Sequence, residues 1–249
     1  MAKLRSFIKI EGTLGDLTFY KGKEGYLVRT KGGVSANRIK NDPAFARTRE
    51  NGSEFGHCAT SGKLLRHAIV GLLSDAKDGS ITPRVTQVMS MVKNTDVISL
   101  RGQRQVAVGL ASAEGKATLK GFDFNSNSQM ATVLRSDFTL DTATGEVNIV
   151  DLIPQHHLGI PGGATHVSFY SGFLNLDFST GDKELQTSTV VNLPINMTST
   201  SVTLTPTAVP TGSGNQLYFL KVAFFQEVNG VQYALNNGAF NALQLIEVL

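Results

Sequence analysis

Several places in the chain bring together residue types that could do chemistry. His156 and His157, with His166 nine residues on, offer imidazole nitrogens to a metal. Adjacent residues on a strand point to opposite faces, however, and no cysteine or carboxylate completes a four-ligand set. His57 and Cys58 make a thiol beside an imidazole, but neighbouring helix positions diverge, and a nucleophilic thiol needs a base within hydrogen-bond reach. Cys58 reads instead as a small core residue. Gly159-Ile160-Pro161-Gly162-Gly163 lacks dinucleotide-loop spacing, and Gly62-Lys63 and Gly115-Lys116 lack the upstream glycine and following hydroxyl of a phosphate loop. There is no G-x-S-x-G, and no acidic cluster with the look of a glycosidase pair. Asn196-Met197-Thr198 fits a glycosylation acceptor, which matters only on a secretory route. The expectation is no enzyme, no metal and no cofactor.

One group of side chains suggests binding. Lys31, Arg38, Lys40, Arg47, Arg49, Lys63 and Arg66 form a basic run that could meet phosphates. Single-stranded nucleic acid would also need aromatic platforms. Only Phe45 and Phe55 lie near, and both suit a core.

Most of these residues fall in or beside a stretch of Asp42–Ala76 that reads as helix. Asp42 can cap and Pro43 can start it. Asn51-Gly52 is a weak point where the helix could break, because an interior glycine costs about 1 kcal/mol relative to alanine. Leu65, Ala68, Ile69, Leu72 and Leu73 keep 3-4 spacing, so Leu65, Ile69 and Leu72 are expected in the core. Thr82-Pro83 opens a second helix over 82–94, and Ser112–Leu119 reads as a short helical series in the connector 95–121.

The flanking segments read as sheet. Phe7, Ile8 and Ile10 suggest a first strand, Leu17 and Phe19 a second, and Tyr26 and Val28 a third, around a hairpin loop at 21–25. From Phe122 onward apolar residues alternate. Strands are expected over 132–140, around Val147 and Ile149, over 167–178 with a β-bulge at Ser171-Gly172-Phe173, and at 185–193, 199–205, 216–228, 231–235 and 240–248. Asn229-Gly230 is a type I′ hairpin signal. Seven or more short strands predict an antiparallel immunoglobulin-like β-sandwich, without the Cys…Trp…Cys set. Residues 217–225 and 240–249 are apolar on both faces, so each needs a second cover, from the helices or from a neighbouring subunit.

The chain of 249 residues has a formal net charge of +3, unevenly spread. Residues 1–105 hold 18 Lys and Arg against 9 Asp and Glu, and residues 106–249 hold 5 against 11. Opposite charges on two halves fit a polyanion partner, or head-to-tail association of copies. The single cysteine excludes an intrachain disulfide, and MAKLRSFIKIEG has no apolar signal region. No apolar run is long enough to span a membrane. The expectation is a product made in the cytoplasm, its final location open to release or to export without a cleavable signal.

The strings IKIEGTLGDLTFYK, GYLVRTKGGV, DPAFARTRENGSEFG, GKLLR and GLASAEGKATLKGFDFN resemble an uncharacterised family of Bacteroidota proteins. The resemblance covers roughly the first half. It implies a bacterial origin and supplies no activity and no site residue.

The fold expected is α+β: an N-terminal β-hairpin with a two-helix unit over 1–105, then a β-sandwich over 106–249. The function expected is a self-assembling structural subunit of a filament, tube or particle, joined head-to-tail. Its contact is expected at Phe240, Leu243, Leu245, Ile246 and Val248, or at Phe19 and Tyr26. The alternative is a nucleic-acid or polyanion-binding module using the basic run.

Overall fold

The computed structural model describes residues 2–3, 8–30 and 32–249. The chain divides into two units between Arg49 and Glu50, whereas the charge break falls at 105/106.

Unit 1 holds strands β1 (Ala2–Lys3), β2 (Gly12–Leu14), β3 (Leu17–Gly22) and β4 (Gly25–Thr30), ordered β1-β4-β3-β2, and the helix α1 (Ala36–Asn41). Leu14 pairs with Leu17 across a two-residue turn whose Gly15 has φ +56°, and Gly22 pairs with Gly25. So the expected hairpin is present, inside a four-stranded antiparallel sheet. Ile8 and Ile10 are outside any strand and exposed, because pairing with β3 starts at Gly12; Phe7 lies outside the described residues. Asp42 does cap, its carboxylate accepting from Ala44 N–H at 2.9 Å, but over a 3-10 turn at Pro43–Phe45.

The long helix α2 (Ala46–Ala68) passes through Asn51-Gly52 without a break. It ends at Ile69, and one further turn, α3 (Val70–Leu73), follows. The helix α4 (Ile81–Asn94) runs antiparallel to α2: Gly62 faces Val85 and Glu54 faces Lys93. Glycine at 62 allows the close approach, since a Cβ there would sit 2.9 Å from Val85 Cγ1. Short helices α5 (Val106–Leu110) and α6 (Ala113–Leu119) pack against α4. Ser112 caps α6 by accepting from Gly115 N–H at 3.0 Å. Leu65, Ile69 and Leu72 are buried as the spacing predicts, but Phe55 is 63% exposed, on the solvent side of α2.

The remaining elements are α7 (Met130–Val133), β5 (Thr139–Asp141), β6 (Glu146–Leu152), α8 (Pro154–His157), β7 (His166–Leu176), β8 (Lys183–Thr187), β9 (Val191–Pro194), β10 (Thr200–Leu204), β11 (Asn215–Val228), β12 (Val231–Ala234) and β13 (Ala242–Val248). A six-stranded antiparallel sheet is built on β11, which pairs with β7 along eleven residues and with β12 and β13 on its other side. β8 and β9 pair with the outer side of β7. A second sheet has the order β10-β6-β5. Helices with antiparallel sheets make the fold α+β. The large sheet curls as a half-barrel, rather than forming the immunoglobulin-like sandwich that the turn spacing predicts.

The two apolar parities of β11 serve two cores. Leu217 and Phe219 join Leu65, Ile69, Met89 and Leu110 of the helices, with Leu174, Leu243 and Leu245. Tyr218, Leu220, Val222 and Phe224 join Val147 and Ile149 of β6 and Val202 and Leu204 of β10. Unit 2 therefore has three layers: helices, large sheet, small sheet. The same layering explains the apparent phase slip in β7. Its pairing with β11 has no register shift, so there is no bulge at 171–173. Val167, Phe169 and Phe173 face one core and Leu174 and Leu176 the other. The alternation over 132–140 also misleads. Met130–Val133 forms a helical turn whose first N–H goes to Asp123 Oδ1 at 3.0 Å, and only Thr139–Asp141 is strand. The Asn229-Gly230 turn is as expected, with φ of +52° and +76° between Val228 and Val231.

Candidate assembly surface

The surfaces proposed from sequence fare differently. Leu243, Leu245, Ile246 and Val248 are buried within their own unit, between 0 and 7% exposed. β13 pairs with β11 on one side. On the other, Gly121 N–H and Phe124 N–H donate to Leu245 O and Leu243 O, and Leu245 N–H donates to Phe122 O. Its edge and both its faces are occupied within unit 2. The second cover required by its apolar faces comes from the helices and the small sheet. Phe240, just before the strand, is 40% exposed.

Phe19 and Tyr26 lie in the opposite situation. Cross-strand pairing sets Phe19 against Val28 and Lys21 against Tyr26, which puts Leu17, Phe19, Tyr26 and Val28 on one face of the unit 1 sheet. Tyr20 and Leu27 pair on the other face. Lys9 lies 5.7 Å from the Tyr26 ring centroid, and Arg29 5.5 Å from that of Tyr20. Yet no described side chain between residues 3 and 49 is buried. Phe19, Tyr20, Tyr26, Leu27 and Val28 are half-buried, and Leu14 and Leu17 are 73 and 43% exposed. Within its own unit the sheet has two partly apolar faces and, among the described residues, no buried side chain.

The described residues of the basic run are divided between the two units. Arg38 pairs with Asp42 at 3.0 Å and stacks 5.7 Å from the Phe45 centroid. Arg49 Nη1 donates to Ile39 O at 2.7 Å and to Asp42 O at 3.0 Å. These two arginines tie α1 to the following turn. Hydrogen bonds from Ala44 N–H and Arg38 hold the Asp42 carboxyl below the usual carboxylate range. Lys40 and Arg47 are exposed on unit 1. Lys63 and Arg66 belong to unit 2, where Lys63 is exposed and Arg66 Nε is enclosed without a hydrogen-bond partner. Lys31 lies outside the described residues.

Unit 2 also holds a polar cleft of about 710 Å³ between α2, residues 102–105 and the turn 178–181. Its charged groups are hydrogen-bonded to one another. Glu54 accepts from Arg104 Nε and Nη2 at 2.8 and 2.7 Å, from Lys93 at 2.6 Å and from Gly102 N–H at 2.7 Å. The Arg104 bonds, against burial and with help from Lys93 and Gly102, hold the Glu54 carboxyl far below its ordinary value. His57 Nε2 accepts from Val106 N–H at 3.0 Å, and burial lowers its pKa. Burial likewise raises the Cys58 thiol, which is inaccessible at 0% exposure. His57 and Cys58 are thus placed for structure. His157 Nδ1 accepts from Ile153 N–H at 3.2 Å within the α8 turn. Among the described residues no group of three His, Cys, Asp or Glu is arranged to hold a metal. The Glu54 network carries no sequence signal, because its partners lie 39 to 50 residues away.

No protein-family model matches the chain, and neither a curated protein nor a solved structure shows significant similarity to it.

Proposed function

We propose that the protein is a structural subunit that assembles with copies of itself, and that unit 1 makes the contact. The carrying observation is the unit 1 sheet: four short strands, apolar residues on both faces, and no buried side chain among those described. Small sheets gain stability by burying a face, and a unit of about 50 residues buries a small share of its surface and is marginal by itself. Charge supports a second copy as the cover. Residues 1–49 hold 11 Lys and Arg against 4 Asp and Glu, a formal +7, and residues 50–249 hold 12 against 16, a formal −4. Unit 1 of one copy is thus attracted to unit 2 of another. Because the two patches differ, the contact repeats head-to-tail.

The +7 of unit 1 also favours a polyanion as a second reading, with exposed Lys40 and Arg47 as contacts. The two separate in one experiment. Light scattering of the full chain alone should show growth in mass with protein concentration, reduced by salt and abolished by Leu17→Asp. Growth seen only after a DNA or RNA oligonucleotide is added supports the polyanion reading instead.

A further inference from the structure

Unit 2 has several strands at sheet edges, and two of them are covered. β13 is covered by residues 121–124. β8 is crossed by the segment that follows β10: Thr207 N–H donates to Thr187 O, and Thr211 N–H and hydroxyl bond Glu184. Four edges remain. β5 and β10 end the order β10-β6-β5, β9 pairs with β7 alone, and β12 pairs with β11 alone. Of these strands only β5 carries a charged residue. In unit 1, among the described residues, β2 pairs with β3 alone and ends the order β1-β4-β3-β2. An edge strand presents unpaired N–H and C=O groups, which a strand from another chain can take up.

We propose that β2 of one copy adds to β5 of the next, joining the two small sheets into one. This rests on the assembly reading above. Both edges are three residues long, Gly12-Thr13-Leu14 and Thr139-Leu140-Asp141. Neither contains proline or lysine, the usual guards of an edge. The charge around them is complementary. Residues 139–152, which carry β5 and β6, hold Asp141, Glu146 and Asp151 and no Lys or Arg. The unit that carries β2 has a formal charge of +7 as a whole. β12 (Val231-Gln232-Tyr233-Ala234) is uncharged and offers no such match. Val150 of β6 is 64% exposed, while Val147 and Ile149 of that strand are buried. Adding β2 to that edge brings Leu14 and Leu17 alongside it, so the join covers apolar surface of unit 1 as well as backbone groups.

Disulfide trapping tests the join, because the one native thiol, Cys58, is buried. Thr13→Cys and Thr139→Cys are made as separate full-length proteins, mixed under assembling conditions and mildly oxidised. Asp141→Cys is run beside Thr139→Cys, since pairing register decides which side chains approach within the roughly 4.4–6.8 Å Cα separation a disulfide needs. A covalent dimer in either mixture, well above that in any single variant, is the expected result. A chain carrying both cysteines should give a covalent ladder. If wild type assembles but neither mixture cross-links, the join is elsewhere and only the assembly reading stands. Cross-linking of Thr13→Cys to Gln232→Cys instead would place the contact on β12 and overturn the proposal. A wild type that never assembles overturns both.

Discussion

Lys93 of α4 donates to Glu54 of α2 across 2.6 Å, with both side chains about 95% buried. Arg104 closes the same carboxylate from the loop that follows α4. One carboxylate thereby holds two helices and a loop together, where the helix periodicity alone would place an apolar residue.

Removing one member of a buried charge pair leaves the other uncompensated, which typically costs about 3–5 kcal/mol. Glu54→Gln should therefore lower the urea midpoint strongly. The pH dependence has a definite sign. The Glu54 carboxyl is held low chiefly by Arg104, against burial. Its contribution is present above the unfolded carboxyl value of about 4.3 and is lost as pH falls through the folded value. Wild-type stability should decline on acidification below about pH 4–5, with a steeper slope than in Glu54→Gln. Equal slopes would show that Glu54 is not the linked group.

Ile69 is fully buried between the helices and the large sheet. Ile69→Ala should cost about 2–5 kcal/mol, read as a lower denaturation midpoint with an unchanged denaturant slope.

The backbone of α6 lies against the end of α5. A Cβ on Gly115 would sit 2.0 Å from Gly109 O, and one on Gly109 would sit 2.2 Å from Val92 O. Gly115→Ala should destabilise the fold by about 1–3 kcal/mol or more, read as a lower denaturation midpoint, despite alanine's better helix propensity. A neutral or stabilising result would mean that α6 shifts freely against α5.

Much of the helical layer is legible in the sequence, because 3-4 spacing at Leu65, Ile69 and Leu72 and the Thr82-Pro83 start are local signals. The hairpin at Asn229-Gly230 is legible for the same reason. The strands with two apolar faces signal a second cover without saying whose. The helices and small sheet supply it within the chain. Alternation at 132–140 misleads because the Asp123 carboxylate, seven residues before Met130, holds a helical turn there. The candidate surface in unit 1 is only half legible. Phe19 and Tyr26 stand out by type, but the lack of burial around them emerges from the strand pairing.

The intramolecular place of β13 makes its own prediction. Deleting residues 240–249 removes the partner of Leu217–Val222 and five buried apolar side chains. The shortened chain should lose cooperative unfolding by circular dichroism, rather than stay folded and merely stop assembling. A folded, cooperative product would mean that β11 does not require this neighbour.

The central claim is that unit 1 is covered by another copy. Multi-angle light scattering of the intact protein, across concentration and at low and high salt, tests it most directly. The account predicts a mass that rises above 26.7 kDa with concentration and falls back as salt screens the attraction between the basic and acidic units. A mass fixed at 26.7 kDa at every concentration and salt would contradict it.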